Sequence, residues 1–161
     1  MLHLTIFCKY DLIRQGGRMD VRSLLKSKGK EVVSLDCMKT VEDAIKQMYK
    51  HKISAVIVTS RDKTAGIFTE RDVVRCYNAS KGKRFSSIKL KEAMTTNVIV
   101  AEEKDDLSDI MAIMVEKNIR HLPVVEKGEI VGILSIRDII QTQVKKLTGE
   151  IHYLKDYITC L

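Results

Sequence analysis

At 161 residues the chain can bury one ordinary core, or two small half-domains packed together. Its 45% hydrophobic and 30% charged residues are those of a soluble globular protein, and no apolar run approaches the ~18 residues that span a bilayer. Lys and Arg number 28 against 21 Asp and Glu, a formal net charge of +7. That balance favours anionic partners (nucleotides, nucleic acid, an acidic protein), and equally describes a coat of solvated lysine.

Residues 1–18 stand outside the pattern that fills the rest of the chain. They read either as sequence ahead of a true start at Met19 or as an arm that pairs with a neighbour, and a loosely held arm is the expectation. The opening Met1–Cys8 is too short and too lightly basic for a secretory signal, so a cytoplasmic location is expected. Cys8, Cys37, Cys76 and Cys160 contain no Cys-x-x-Cys pair, which argues for reduced thiols and against a metal site.

Met19–Leu25 predicts a short helical turn, matched by Ile88–Met94. If Leu24-Leu25 corresponds to Ala93-Met94, the first copy carries three extra residues in the basic loop Lys26-Ser-Lys-Gly-Lys30, read as solvated rather than as a pocket mouth. Glu31–Leu35 predicts a strand. Val41, Ala44, Ile45 and Met48 then fall at helical spacing, as do Leu107, Ile110, Met111 and Met114, with Asp106 or Ser108 as a cap. Ile53–Thr59 and Ile119–Val125 predict strands, each followed by a charged tight turn at Arg61–Lys63 and Glu126–Glu129.

The next strand in each copy runs into one motif, Gly66-Ile-Phe-Thr-Glu-Arg-Asp72 and Gly132-Ile-Leu-Ser-Ile-Arg-Asp138, with 132 − 66 = 138 − 72 = 66. The match holds without a gap from Val32 to Ile140, so the chain is a duplication. Each unit reads β-α-β-β-α, giving an α+β fold. One unit exposes too much apolar sheet to stand alone, so the two repeats are expected to pack through their small sheets.

Tyr77–Arg84 is polar and contains glycine, as a linker should. Beyond Asp138, residues Ile140, Val144, Leu147, Ile151, Leu154 and Ile158 form one helical stripe that Gly149 can interrupt. That stripe covers the pair's own edge or meets a second subunit. The expected division is an arm at 1–18, repeats at 19–80 and 81–147, and a C-terminal helical segment at 148–161.

A Thr or Ser at a strand-to-helix junction, with Asp three residues on, points free N–H groups and the positive end of a helix dipole at the space ahead. Phosphate binds readily there. The same spacing also fits a capping box, in which hydroxyl and carboxylate satisfy backbone donors and touch no ligand. Both readings stand on the residues alone.

The two repeats, each ending Gly-apolar-x-Thr/Ser-x-x-Asp, and the stretch Ile119-Arg-His-Leu-Pro-Val-Val125 resemble a tandem pair of cystathionine β-synthase (CBS) domains over roughly residues 19–145. The resemblance implies a non-catalytic regulatory module that senses AMP, ADP, ATP or S-adenosylmethionine in the cleft between repeats. It gives ribose binding to Asp72 and Asp138, phosphate contact to Thr69 and Ser135, and an adenine slot to Val33, Ile99, Ser54, Ala55 and Pro123. Arg120 and His121 occupy positions where the family places cations near phosphate; on the bland reading one of them is simply solvated. Repeat 1 has Ser54-Ala55 there, so the two sites are expected to differ in charge.

The implied partners are an adenine nucleotide or other adenosyl ligand, a second copy in a homodimer, and an effector protein; no cofactor is expected. There is no P-loop, nucleophile triad or metal-spaced cluster, so the chain is not expected to be an enzyme. The second reading is a nucleic-acid-binding or transcription-associated protein using its basic surface, as in Lys81-Gly-Lys-Arg84. With only 5% aromatic residues and no Trp, it lacks a stacking platform for that role.

Overall fold

The computed structural model describes residues 5–6, 19–29 and 32–159. In chain order these form β1 (Thr5–Ile6), α1 (Val21–Lys28), β2 (Ser34–Asp36), α2 (Val41–His51), β3 (Ala55–Ser60), β4 (Lys63–Thr69) and α3 (Glu70–Ala79). A 3₁₀ turn (Phe85–Ser87) leads into α4 (Leu90–Ala93), β5 (Ile99–Glu102), α5 (Leu107–Glu116), β6 (His121–Glu126), β7 (Glu129–Ser135) and α6 (Ile136–Thr159). The fold is α+β, with the β-α-β-β-α order in both repeats.

Local chemistry sets the element ends. Asp20 starts α1 by accepting from the Ser23 amide, and Asp106 starts α5 by accepting from the Ser108 amide. Lys52 and Asn118 take left-handed backbone after α2 and α5, which turns the chain sharply back into the next strand. Two-residue hairpin loops join β3 to β4 and β6 to β7, with positive φ at Arg61, Asp62, Lys127 and Gly128. The linker begins only at Ser80, because α3 continues through Tyr77, Asn78 and Ala79.

Each sheet is mixed: β2 runs parallel to β3 and β3 antiparallel to β4, while the second sheet has the order β1-β5-β6-β7. Thr5–Ile6 pairs in parallel with Ile99–Val100, so this piece of the arm forms the edge of the second sheet; the remainder of 1–18 lies outside the described residues. The sheets face one another. Ala55, Ile57 and Ile67 from one repeat share a core with Val98, Val100 and Val125 from the other. Alternation sends Val56 and Val58 to the opposite face, onto α2.

The helix-covered cores are exchanged. Val21, Leu24 and Leu25 of α1 lie in the core of the second repeat with Leu107, Ile110, Met114 and Ile139. Leu90 and Ala93 of α4 lie in the core of the first, with Val41, Ala44, Phe68 and Cys76. Reciprocal backbone bonds hold the exchange: Val21 N to Asp105 O and Leu107 N to Met19 O on one side, Leu90 N to Lys39 O and Val41 N to Ile88 O on the other. The offset between Asp20 and Lys89 is 89 − 20 = 69, and between Thr40 and Asp106 is 106 − 40 = 66. The difference of three is the length of the extra loop.

The exchange explains the motif glycines. A Cβ at Gly66 would stand 2.5 Å from the Thr95 carbonyl oxygen, and one at Gly132 would stand 2.6 Å from Leu25 Cδ2. Each glycine lets the other repeat's leading segment lie directly on the strand. Gly149 does not interrupt α6, which runs 24 residues unbroken; open space surrounds its Cβ position.

Candidate functional site

Both motif corners form capping boxes. The Thr69 amide and hydroxyl donate to Asp72 Oδ2 at 2.8 and 2.9 Å, and the Ser135 amide and hydroxyl donate to Asp138 Oδ2 at 3.0 and 2.6 Å. Thr40 and Asp43 make the same box at the start of α2, so the box by itself stabilises a helix start and specifies no ligand. What differs is the second carboxylate oxygen.

Asp72 Oδ1 is occupied. It accepts from Arg75 Nη2 at 2.9 Å and Thr95 Oγ1 at 3.3 Å, and the side chain is 7% exposed. Asp138 is 21% exposed; Lys28 Nζ joins the same Oδ2 that Ser135 uses, and among the described residues Oδ1 takes no protein donor. Burial pushes the Asp138 carboxyl up, but the Lys28 ammonium and the Ser135 hydroxyl and amide outweigh it and hold it below the ordinary value. Asp138 is therefore an ionised acceptor with one oxygen still available. Lys28, read as part of a solvated loop, sits at this corner and also donates to the Ile133 carbonyl at 3.2 Å.

Two pockets flank the line between the repeats. One, of about 250 Å³, is lined by Thr69, Arg71, Asp72, Arg75, Thr95 and Ile119, among others. Two of its three arginines are committed: Arg71 donates to the Asn118 carbonyl, and Arg75 to Asp72 and the Ala93 carbonyl. The other, of about 1000 Å³, runs past Ser54, Ser135 and Ile136 and carries Lys50, Lys52, Arg120 and Arg137, with Glu70 as the one carboxylate in its lining. Those four cations hold no protein acceptor among the described residues.

Glu70, Arg120 and His121 line both pockets. His121 Nε2 lies 2.7 Å from Ser54 Oγ, which ties the two repeats at the point where the pockets meet. Burial lowers the imidazole below its ordinary pKa; Lys28 and Arg120 lower it further, against Glu70 and Asp138. The ring is a neutral hydrogen-bonding group near pH 7.

The structure thus brings Thr69, Asp72, Arg120 and His121 to the smaller pocket and Ser54, Arg120, His121 and Ser135 to the larger, with Asp138 three residues on from Ser135. Val33 and Ile99 lie elsewhere. They pack against the two helix-side cores, whereas their neighbours Val32 and Val98 join the core between the sheets. Ala55 is buried in that same core, and Pro123 is buried within β6. Lys28, Arg75, Thr95 and Arg137 were not picked out by the sequence reading. Only the Lys26–Lys30 insertion carried a signal for one of them.

Comparison with known proteins decides the family. The profile of the CBS domain matches residues 21–79 and 90–145. The chain belongs to the CBS-domain family. A mitochondrial CBS domain-containing protein of Arabidopsis thaliana (CBSX3) is 30% identical over 96% of this chain and 82% of its own length. For two further relatives the match spans 59% and 60% of their own length.

Among solved structures, the CBS-domain protein ATU1752 of Agrobacterium tumefaciens matches with a TM-score of 0.73 and 36% identity, covering 78% of this chain and 99% of that one. The CBS domain pair of protein MJ0100, solved in complex with 5′-methylthioadenosine and S-adenosyl-L-methionine, matches with a TM-score of 0.70 and 26% identity over 80% and 98% of the two chains. CBS-domain pairs are regulatory ligand-sensing modules, typically without catalysis of their own. Among the described residues no helix is long and apolar enough to cross a membrane.

Proposed function

We propose that this CBS pair senses an adenine nucleotide at the Asp138 corner, in the larger pocket. The carrying observation is that, among the described residues, Asp138 Oδ1 takes no donor and the four cations of the adjoining pocket hold no acceptor. A carboxylate accepts from both vicinal hydroxyls of a ribose, and bonds to an ionised acceptor are stronger than neutral ones. Lys50, Lys52, Arg120 and Arg137 complement phosphates and repel a sulfonium, so AMP, ADP or ATP is favoured over S-adenosylmethionine. The volume, about 1000 Å³, is at the upper end for a small-molecule site.

On this reading Asp72, already satisfied by Arg75 and Thr95, serves chiefly to hold α3, and the smaller pocket takes ligand weakly or not at all. Binding at the seam between repeats changes their packing, a partner protein reads the change, and the module works without chemistry in the cytoplasm. Calorimetric titration with AMP, ADP, ATP and S-adenosylmethionine tests it. A nucleotide present at 100 times its dissociation constant should stabilise the fold by roughly 2.7 kcal/mol. Absence of heat and of thermal shift with all three nucleotides removes the proposal.

A further inference from the structure

Beyond Ile140, where the duplication ends, the last helix carries a pattern of its own. Ile140, Val144, Leu147, Ile151, Leu154 and Ile158 follow one another at steps of four, three, four, three and four. That alternation averages 3.5 residues, the period of a coiled-coil seam rather than of a stripe lying on a globular core. With Val144 at position a of the heptad, the a residues are Val144, Ile151 and Ile158, and the d residues are Ile140, Leu147 and Leu154.

Every a residue is β-branched and two of the three d residues are leucine, the combination that favours two parallel strands. Glu150 falls at g and Lys155 at the e position five residues on, the pairing that joins opposite charges across a parallel, in-register dimer. Gly149 falls at f, the outermost position, where a missing side chain weakens the helix but removes nothing from the seam.

Among its described side chains, the body of the protein leaves this seam open. Ile140, Val144, Leu147, Ile151 and Ile158 are 48–70% exposed. Ile139 is fully buried, about 100° round the helix from Ile140, so the flank that meets the body lies to one side of the seam. The other exposed apolar side chains, Met38 ahead of α2, Tyr49 on α2, Val74 and Tyr77 on α3 and Val115 on α5, are scattered and continue no such heptad.

We infer that residues 140–158 of two copies of this chain wind into a parallel two-stranded coiled coil. It stands on the heptad, the charge pair and the exposure, independently of whether a nucleotide binds. The helix that makes the seam is also the helix that Ser135 and Asp138 cap, so the ligand corner and the dimer contact lie on one rigid element.

Sedimentation equilibrium on the full chain tests it, with circular dichroism confirming that each variant is folded. The wild type should be a dimer, and Leu147→Glu with Ile151→Glu should raise its dissociation constant roughly 100-fold or more, because the charges would be buried unpaired. Glu150→Lys and Lys155→Glu should each weaken the dimer, and the double exchange should restore it. Ile151→Cys, with the four native cysteines replaced by alanine, should oxidise to a linked dimer, since a residues meet their own copies across a parallel seam. A wild type that stays monomeric, a dimer indifferent to the two glutamates, or charge variants with no reciprocal rescue overturns the inference.

Discussion

Lys28 and Asp138, 110 residues apart in sequence, are joined by a 2.5 Å ammonium–carboxylate contact. It ties the end of the exchanged helix α1 to the first turn of α6, at the corner where the second repeat would receive a ligand. Because Asp138 is held below its ordinary pKa, its contribution to stability is complete above the unfolded carboxylate value of about 3.9 and is lost as pH falls through the lower folded value. Lys28→Met should cost at most about 1 kcal/mol at pH 7, since both side chains are partly exposed. Thermal melts of wild type and variant between pH 7 and pH 2 should converge at the acid end. A difference that persists unchanged there would show that the lysine stem, not its charge, matters.

The two motif aspartates should separate cleanly. Asp72→Ala removes the cap of α3 and strands Arg75 and Thr95, and should cost about 1–3 kcal/mol in urea unfolding. Its effect on nucleotide affinity should be small. Asp138→Ala should cost less stability, yet weaken nucleotide binding roughly tenfold or more, the worth of one charged hydrogen bond. The opposite ranking in calorimetry would move the ligand to the smaller pocket.

The motif glycines test the exchange itself. Gly66→Ala drives a methyl group into the Thr95 carbonyl, whose oxygen accepts from the Ile67 amide at 3.0 Å, and should destabilise by about 1–3 kcal/mol. Gly132→Ala meets only a side chain, that of Leu25. It should cost less, and Leu25→Ala should cost less in the Gly132→Ala background than in wild type. Strict additivity of the two substitutions in chemical denaturation would contradict the contact.

His121 gives a second pH signature. Its folded pKa lies below the ordinary value of about 6.5, so the unfolded chain takes up the proton first. Stability should fall as pH drops below 6.5 toward the folded value, and hold steady above it. His121→Asn keeps a polar group beside Ser54 while removing the titration. The slope of unfolding free energy between pH 7.5 and 5.5 should flatten in that variant; an unchanged slope assigns it to other groups.

The element order was legible in the sequence because periodicity survives duplication: Val41/Ala44/Met48 and Leu107/Ile110/Met114 pack in their cores as read. The exchange was not. Both cores descend from one pattern, so the apolar face of Val21, Leu24 and Leu25 suits either, and adjacency in sequence favoured the wrong one. Adjacent apolar residues hid strand facing in the same way, since Val32-Val33 and Val98-Ile99 offer no polar member to mark the outside. The basic insertion around Lys28 could be seen, but not its role, because its partner lies over 100 residues away. Gly149 misled because helix propensity was weighed without the strong helix-forming neighbours on both sides.

The traded helices also dictate an order of events during synthesis. Val21, Leu24 and Leu25 leave the ribosome well ahead of Leu107, Met114 and Ile139, so their seat does not exist until Ile139 has followed them. The first repeat, in turn, stays unsealed until Leu90 and Ala93 emerge. Until Ile139 emerges the apolar face of α1 stays sticky, and a product that stops at the linker lacks the residues that would bury it.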